Sequence, residues 1–333
     1  MRHPPLPDTQ LVRSFGRSAR RFADWMREKN WSEQTITHYG NSLGPLLRFL
    51  VETAPDWAGI SQVSRESLES YAQGLHSAEN ERGGFYAVTS IRARLTCVKA
   101  LFRFLHRAGE IRVDPAALLE LPKSPKRLPR SVLTEAEMRR LLGSPDLSTA
   151  LGLRDRAILE LLYSSGLRNA ELRAVGLDDF DFSRGLVVVR QGKGRKDRVV
   201  PMGEAAARYV EKYVNQGRHR IAPRATDRRA FLTFRGNPLA GEDLGKLVRI
   251  HAKRAGIKKN VTPHALRHTC ATAMLRGRAD IRHIQALLGH ASLNSTEIYT
   301  HVEIGDLKRV HQRTHPREQD PGELPKTDAG DDA

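Results

Sequence analysis

The side chains with the most chemistry to offer lie within residues 262–302, TPHALRHTCATAMLRGRADIRHIQALLGHASLNSTEIYTHV. Thr262 is a good N-cap and Pro263 suits the first helical position, so the spacing predicts a helix on which His264, Arg267 and His268 fall at i, i+3 and i+4, on one face. The positive end of that helix's dipole points the same way and favours an anion. Asp280 caps a second helix with Ile281, Ile284, Leu287 and Leu288 as its buried stripe, and Gly289 suits a left-handed terminator, which places His290 on a turn. Ser292, Ser295 and Thr296 offer caps for a last short helix carrying Tyr299. That is more chemistry than a structural hairpin needs, and the stretch reads as half of an active site. Zinc is one alternative, since His264 and His268 have the spacing of a zincin helix, but Ala265 stands where that motif requires its glutamate base, and no metal is expected. Isolated surface or capping histidines are the other alternative, weakened by so many such residues on one short stretch of a basic chain.

Elements elsewhere must supply the scaffold. Residues 1–10 hold three prolines and no periodicity and read as an arm. Helical patterns follow over 11–29, from Ser32, from Ser64 and from Ser90, so 11–113 reads as an all-helical bundle. Pro45 falls inside the second pattern, where its missing amide hydrogen should kink or split the helix. Residues 114–133, with four prolines among Lys123, Lys126, Arg127 and Arg130, read as a basic semi-extended linker that could lie along a phosphate backbone. Thr134 and Glu137 form a capping box opening a second domain over 134–317. In it a helix over 153–164 ends at Gly166, another turn of helix starts near Arg168, and two valine-rich strands, 186–191 and 198–202, flank the loop Gly-Lys-Gly-Arg-Lys-Asp. Residues 231–234 could add a third strand, and 244–255 returns to helix. Residues 318–333 are acidic, without an apolar period, and read as a disordered tail. The fold class is mainly α with a small β-sheet.

A chain of 333 residues with 55 Lys and Arg against 38 Asp and Glu, net +17, is basic enough to favour a polyanionic partner. An anionic membrane is the rival, but no apolar run of about 18 residues and no apolar leader appear, so a cytoplasmic protein that avoids membranes is expected. Cys97 and Cys270, both inside apolar helical patterns, read as core thiols.

Four segments, GLRNAEL, VVRQGKGRKDRVVPM, HALRH and LLGHASLNSTEIYTHV, resemble in order and spacing the motif boxes of tyrosine recombinases. The helical N-terminal half resembles that family's core-binding domain, and the closing THPRE resembles its Xer subgroup, with LKRVHQRTHPRE leaning towards the XerC-like branch over the XerD-like one. The resemblance implies a helical DNA-binding domain before a catalytic domain, and a site-specific recombinase that cuts and rejoins DNA through a 3′-phosphotyrosyl link. It implies that Arg168 and Arg267 hold the scissile phosphate, that Lys193 protonates the leaving 5′-oxygen with Lys196 its nearby competitor, and that His264 is the base. It further implies that His290 donates a hydrogen bond to the phosphate and that Tyr299 is the nucleophile, with Glu171 and His268 in support and no cofactor or metal. Double-stranded DNA at a recombination site, a homo- or hetero-tetramer with a paralogous Xer recombinase, and a DNA translocase as activator are the implied partners, with chromosome-dimer resolution as the implied role. A phage- or integron-type integrase sharing the site is the alternative within the family. A type IB topoisomerase-like relaxase and a DNA-binding accessory without catalysis are rivals outside it.

Overall fold

The computed structural model describes residues 5–79, 83–123, 132–190, 197–222, 227–289 and 304–319. The chain divides into two compact units, Met1–Arg127 and Leu128–Ala333.

The first unit is built on four helices, α1 (Gln10–Glu28), α2 (Glu33–Thr53), α3 (Arg65–Ser77) and α4 (Val88–Arg107). Each turns one apolar stripe inward: Leu11, Phe15, Phe22 and Met26 from α1 meet Leu43, Leu46 and Leu50, Leu68 and Leu75, and Leu95, Val98 and Phe102 from the others. Thr9, Ser32 and Ser64 accept amide hydrogens from the first turns of α1, α2 and α3. Helix α2 continues through Pro45 and is not split there, and the carbonyl that Pro45 deprives of a partner, that of Asn41, lies on an exposed residue where water can satisfy it. Helix α4 starts at Val88, before Ser90, and its N-cap is Ala87, with no side-chain cap. The bundle also extends past residue 113. Ala116 and Leu119 are buried in its core, and the Lys99 ammonium donates to the Ala117 and Leu119 carbonyls.

In the second unit, α5 (Glu135–Leu142) opens with the capping box expected from Thr134 and Glu137. Helix α6 (Ala150–Ser165) is central and buried on nearly every side, which is why it carries charged residues only in pairs. The Arg156 guanidinium lies 4.1 Å from the Tyr209 ring centre and donates to Glu160, whose carboxylate also accepts from Arg317 at 3.1 and 2.8 Å. After Gly166, at φ 58°, comes α7 (Asn169–Ala174).

A three-stranded antiparallel sheet follows, β1 (Phe180–Asp181), β2 (Leu186–Val189) and β3 (Arg198–Pro201), with Val187 opposite Val200 and Val189 opposite Arg198. Alternation sends Val187, Val189 and Val200 into the core. The third strand is β1, not residues 231–234. Those residues lead into a tight turn in which Thr233 bonds Asn237 and Gly236 takes φ 78°, leaving only the isolated pair Leu232 and Pro238. The rest is helical: α8 (Glu204–Lys212), α9 (Arg218–Ile221), α10 (Gly241–Arg254), α11 (Pro263–Arg276), α12 (Ile281–Leu288), α13 (Ile304–Thr314) and α14 (Pro316–Gln319). Helix α14 carries the chain beyond residue 318, where the sequence suggests the tail begins, and Glu318 caps α8 by accepting from the Glu204 amide. No helix among the described residues is long and apolar enough to cross a membrane.

Candidate active site

Helix α11 begins as its sequence requires, Thr262 Oγ1 accepting from the Ala265 amide and Pro263 in the first turn. Its faces differ in burial: Arg267 is buried, His268 half-buried and His264 exposed. The Arg267 guanidinium donates through Nη1 to the Gly166 carbonyl and through Nη2 to the Leu288 carbonyl at 2.6 Å, joining the ends of α6 and α12. Burial, and then the neighbouring Arg168, push this guanidinium down to about 10, which leaves it cationic at neutral pH.

Arg168 precedes α7 and is held at both ends. Its amide donates to Glu171 Oε2 at 2.7 Å, its Nη1 to Glu171 Oε1 at 2.6 Å, and its Nη2 to the Gly289 carbonyl. The two arginines therefore rest on successive carbonyls, those of Leu288 and Gly289, at the end of α12. That end forms as the sequence indicates, with Asp280 capping the start and Gly289 left-handed at φ 62°. Burial would raise the Glu171 carboxyl, but hydrogen bonds from Arg198 and from the Arg168 backbone outweigh it and hold the group at about 2.

Arg198 was not among the residues singled out from sequence, yet it alone meets both oxygens of the Glu171 carboxylate with its two terminal nitrogens. Its Nη1 and Nη2 meet Glu171 Oε1 and Oε2 at 2.7 and 2.8 Å. The signal was present: in β3 it has the parity of Val200, so it points inward, and an inward arginine requires a carboxylate. The result is three guanidiniums, Arg168, Arg198 and Arg267, gathered about one carboxylate. A cluster of this kind carries more positive than negative charge, which favours an anion, and forked guanidinium donors suit the oxygens of a phosphate.

Of the remaining expected site residues, Lys193, Lys196, His290 and Tyr299 lie outside the described residues. They belong to the loop between β2 and β3 and to the segment between α12 and α13, each of which adjoins the arginine cluster at a described end, Arg198 in one case and Gly289 in the other. Among the described residues no three His, Cys, Asp or Glu side chains converge on a metal position, and His264 and His268 have no third ligand.

The last turn of α6 presents its carbonyls to side chains of other helices. Ser164 O accepts from His311 Nε2 at 2.7 Å and from Cys270 Sγ at 3.7 Å, and Tyr163 O accepts from His315 Nε2 at 3.2 Å. The Arg317 amide donates to His315 Nδ1, which leaves the ring hydrogen on Nε2. Together with the Arg267 bond to Gly166, these contacts tie α13 and α14 to the helix end that carries the arginine cluster.

Residues 131–305 match the phage integrase family and residues 20–109 match the phage integrase N-terminal SAM-like domain. The chain is 42% identical over 279 residues to tyrosine recombinase XerC 2 of Ralstonia nicotianae, covering 83% of this chain and 80% of that protein. It is 38% identical over 312 residues to tyrosine recombinase XerD of Vibrio cholerae, covering 93% and 98%. Relatives of both names thus stand at similar distance, and similarity does not separate the two branches. The fold is that of a lambda integrase dimer bound to a COC′ core site, with a TM-score of 0.61 at 18% identity over 85% of this chain and 98% of the other. It is equally that of the Tn1549 transposon integrase in complex with a circular intermediate DNA, with a TM-score of 0.63 at 21% identity over 89% and 99%.

Proposed function

The chain belongs to the phage integrase family and is a Xer-type site-specific tyrosine recombinase, and on that premise we propose how its residues exchange DNA strands. Supporting the reading above all is the gathering of Arg168, Arg198 and Arg267 around the single carboxylate of Glu171, an excess of fixed positive charge that a scissile phosphate neutralises. Arg168 and Arg267 take the non-bridging oxygens and stabilise the charge that grows on them as phosphorus becomes five-coordinate. The Tyr299 phenol oxygen attacks phosphorus, its proton passing to His264, and the bond to the 5′-oxygen breaks as Lys193 protonates that oxygen. An ammonium can release this proton where a guanidinium practically cannot. His290 donates to the phosphate, Glu171 orients Arg168, and His268 supports the helix behind the site. The 3′-phosphotyrosyl diester keeps the energy of the broken bond, so a 5′-hydroxyl from another strand can reverse the step without ATP, cofactor or metal.

The partner in this reading is double-stranded DNA bearing a recombination site, gripped by the helical bundle and the catalytic unit of a protein with net charge +17. Four protomers, alone or with a paralogous Xer recombinase, join two sites in the cytoplasm, and a DNA translocase as activator raises the rate of an exchange that the recombinase itself carries out. The role is resolution of chromosome dimers at cell division. A plasmid carrying two directly repeated copies of a site selected for binding tests this. The expected result is a deleted circle formed in EDTA without ATP, and nicked or linear DNA with no rejoined product would contradict it.

A further inference from the structure

Glu171 is saturated. Its Oε1 accepts from Arg168 Nη1 and Arg198 Nη1, and its Oε2 accepts from the Arg168 amide and Arg198 Nη2. Two of these four bonds come from β3, the strand that follows the loop carrying Lys193, so the Arg198 pair fastens the base of that hairpin to α7. Arg198 also lies against the α12 terminator. A methyl group at Gly289 would stand 3.0 Å from Arg198 Cζ and 3.0 Å from its Nε, and the Gly289 carbonyl accepts from Arg168 Nη2. Gly289 immediately precedes His290. The Arg198 side chain is 16% exposed, both of its terminal nitrogens are committed to Glu171, and its Nε is buried with no hydrogen-bond partner among the described residues. Those terminal nitrogens face the carboxylate, so Arg198 is aimed at Glu171.

We infer that Arg198 is a positioning residue for the phosphate clamp, setting Arg168 and the Gly289 turn by dividing the Glu171 carboxylate with Arg168 and packing against Gly289. Without it the carboxylate is free to take Arg168 by both oxygens and draw Nη2 off the Gly289 carbonyl, turning the guanidinium away from the phosphate. The inference rests on the assignment of Arg168 to the clamp.

The test is single-turnover cleavage of a nicked suicide duplex by the full chain, with either a phosphodiester or a neutral methylphosphonate at the scissile position. A methylphosphonate lacks the charge the clamp neutralises, so a defect that acts through Arg168 shrinks on it, whereas a general structural lesion does not. Arg198→Met is expected to cleave the phosphodiester at least tenfold more slowly than wild type and the methylphosphonate within about threefold of it, with unchanged DNA affinity and a retained cooperative melt. Should Arg198→Met fail to fold, Arg198→Lys, which keeps the charge but cannot span both carboxylate oxygens, must show the same selective loss. Wild-type cleavage of the phosphodiester by the folded variant overturns the inference, as does an equal loss on both substrates. Arg168→Ala run alongside separates the two layers, because wild-type cleavage by that variant would instead remove the clamp assignment beneath.

Discussion

At the scale of single residues, the site is governed by one carboxylate among three guanidiniums. Removing one of two Arg168 or Arg267 forks from a developing five-coordinate phosphate should lower cleavage by about 10²–10³-fold, as loss of a preorganised oxyanion donor does. Arg168→Ala, measured by single-turnover cleavage with DNA affinity held constant, is expected to fall in that range. Glu171→Gln should cost stability as well, about 3 kcal/mol, because it leaves the half-buried Arg168 and Arg198 beside each other without the buried counter-charge between them. A thermal melt displaced by several degrees is the expected readout. Much of this cluster was legible in the sequence, Arg267 from its spacing to His264 and His268 on one helix face, and Arg168 and Glu171 through the resemblance carried by GLRNAEL. Arg198 was hidden by its neighbours: in a loop rich in Lys and Arg it looks like one more solvated cation, and only its strand parity reveals that it points inward.

At the scale of elements, the ends of helices carry most of the positioning. The left-handed glycines, Gly166 at φ 58° and Gly289 at φ 62°, terminate the helices whose carbonyls hold the arginines, and both were readable as stops. Gly289→Ala should be costly twice, by strain at positive φ and by the clash with Arg198, and its cleavage rate should fall more than its DNA affinity. Docking of α13 and α14 depends on neutral imidazoles. Burial holds His311 down at about 4, and burial with the adjacent His311 ring pushes His315 well below its usual range. An unfolded histidine takes up its proton near pH 6.5, so the native state binds fewer protons in between, and stability present above pH 6.5 is lost as pH falls towards 4. For His311 alone the loss is about 3 kcal/mol. His311→Gln, which keeps a donor for the Ser164 carbonyl, should flatten part of that decline in denaturant melts across pH 4–7. Sequence periodicity located the long helices of the first unit because each has a single apolar stripe. It failed at Ser90, where a serine in the first turn resembles a cap, and at residues 231–234, where buried Phe231 and Leu232 have the composition of a strand and lead into a tight turn.

At the scale of the whole molecule, two units with separate cores share one charge balance. No residue of the core of Met1–Arg127 appears in the core of Leu128–Ala333, so each unit, expressed alone, should melt cooperatively. The net charge of +17 makes DNA affinity a counterion-release problem. Between about 50 and 200 mM salt, affinity should fall by roughly 10³-fold or more, as it does for proteins that neutralise six or more phosphates. A flat salt profile would separate the basic surface from the partner proposed for it. Length suggested two domains and net charge a polyanionic partner, while the assembly of four protomers has no counterpart in composition or periodicity. The central claim, that strands are exchanged through a phosphotyrosyl link, is tested most directly by trapping the protein on a nicked suicide duplex and mapping the DNA-bearing peptide. A covalent adduct on the peptide containing Tyr299, lost in Tyr299→Phe, is the expected result. An adduct that persists in Tyr299→Phe, or cleavage that leaves no protein attached to the 3′ end, would contradict it.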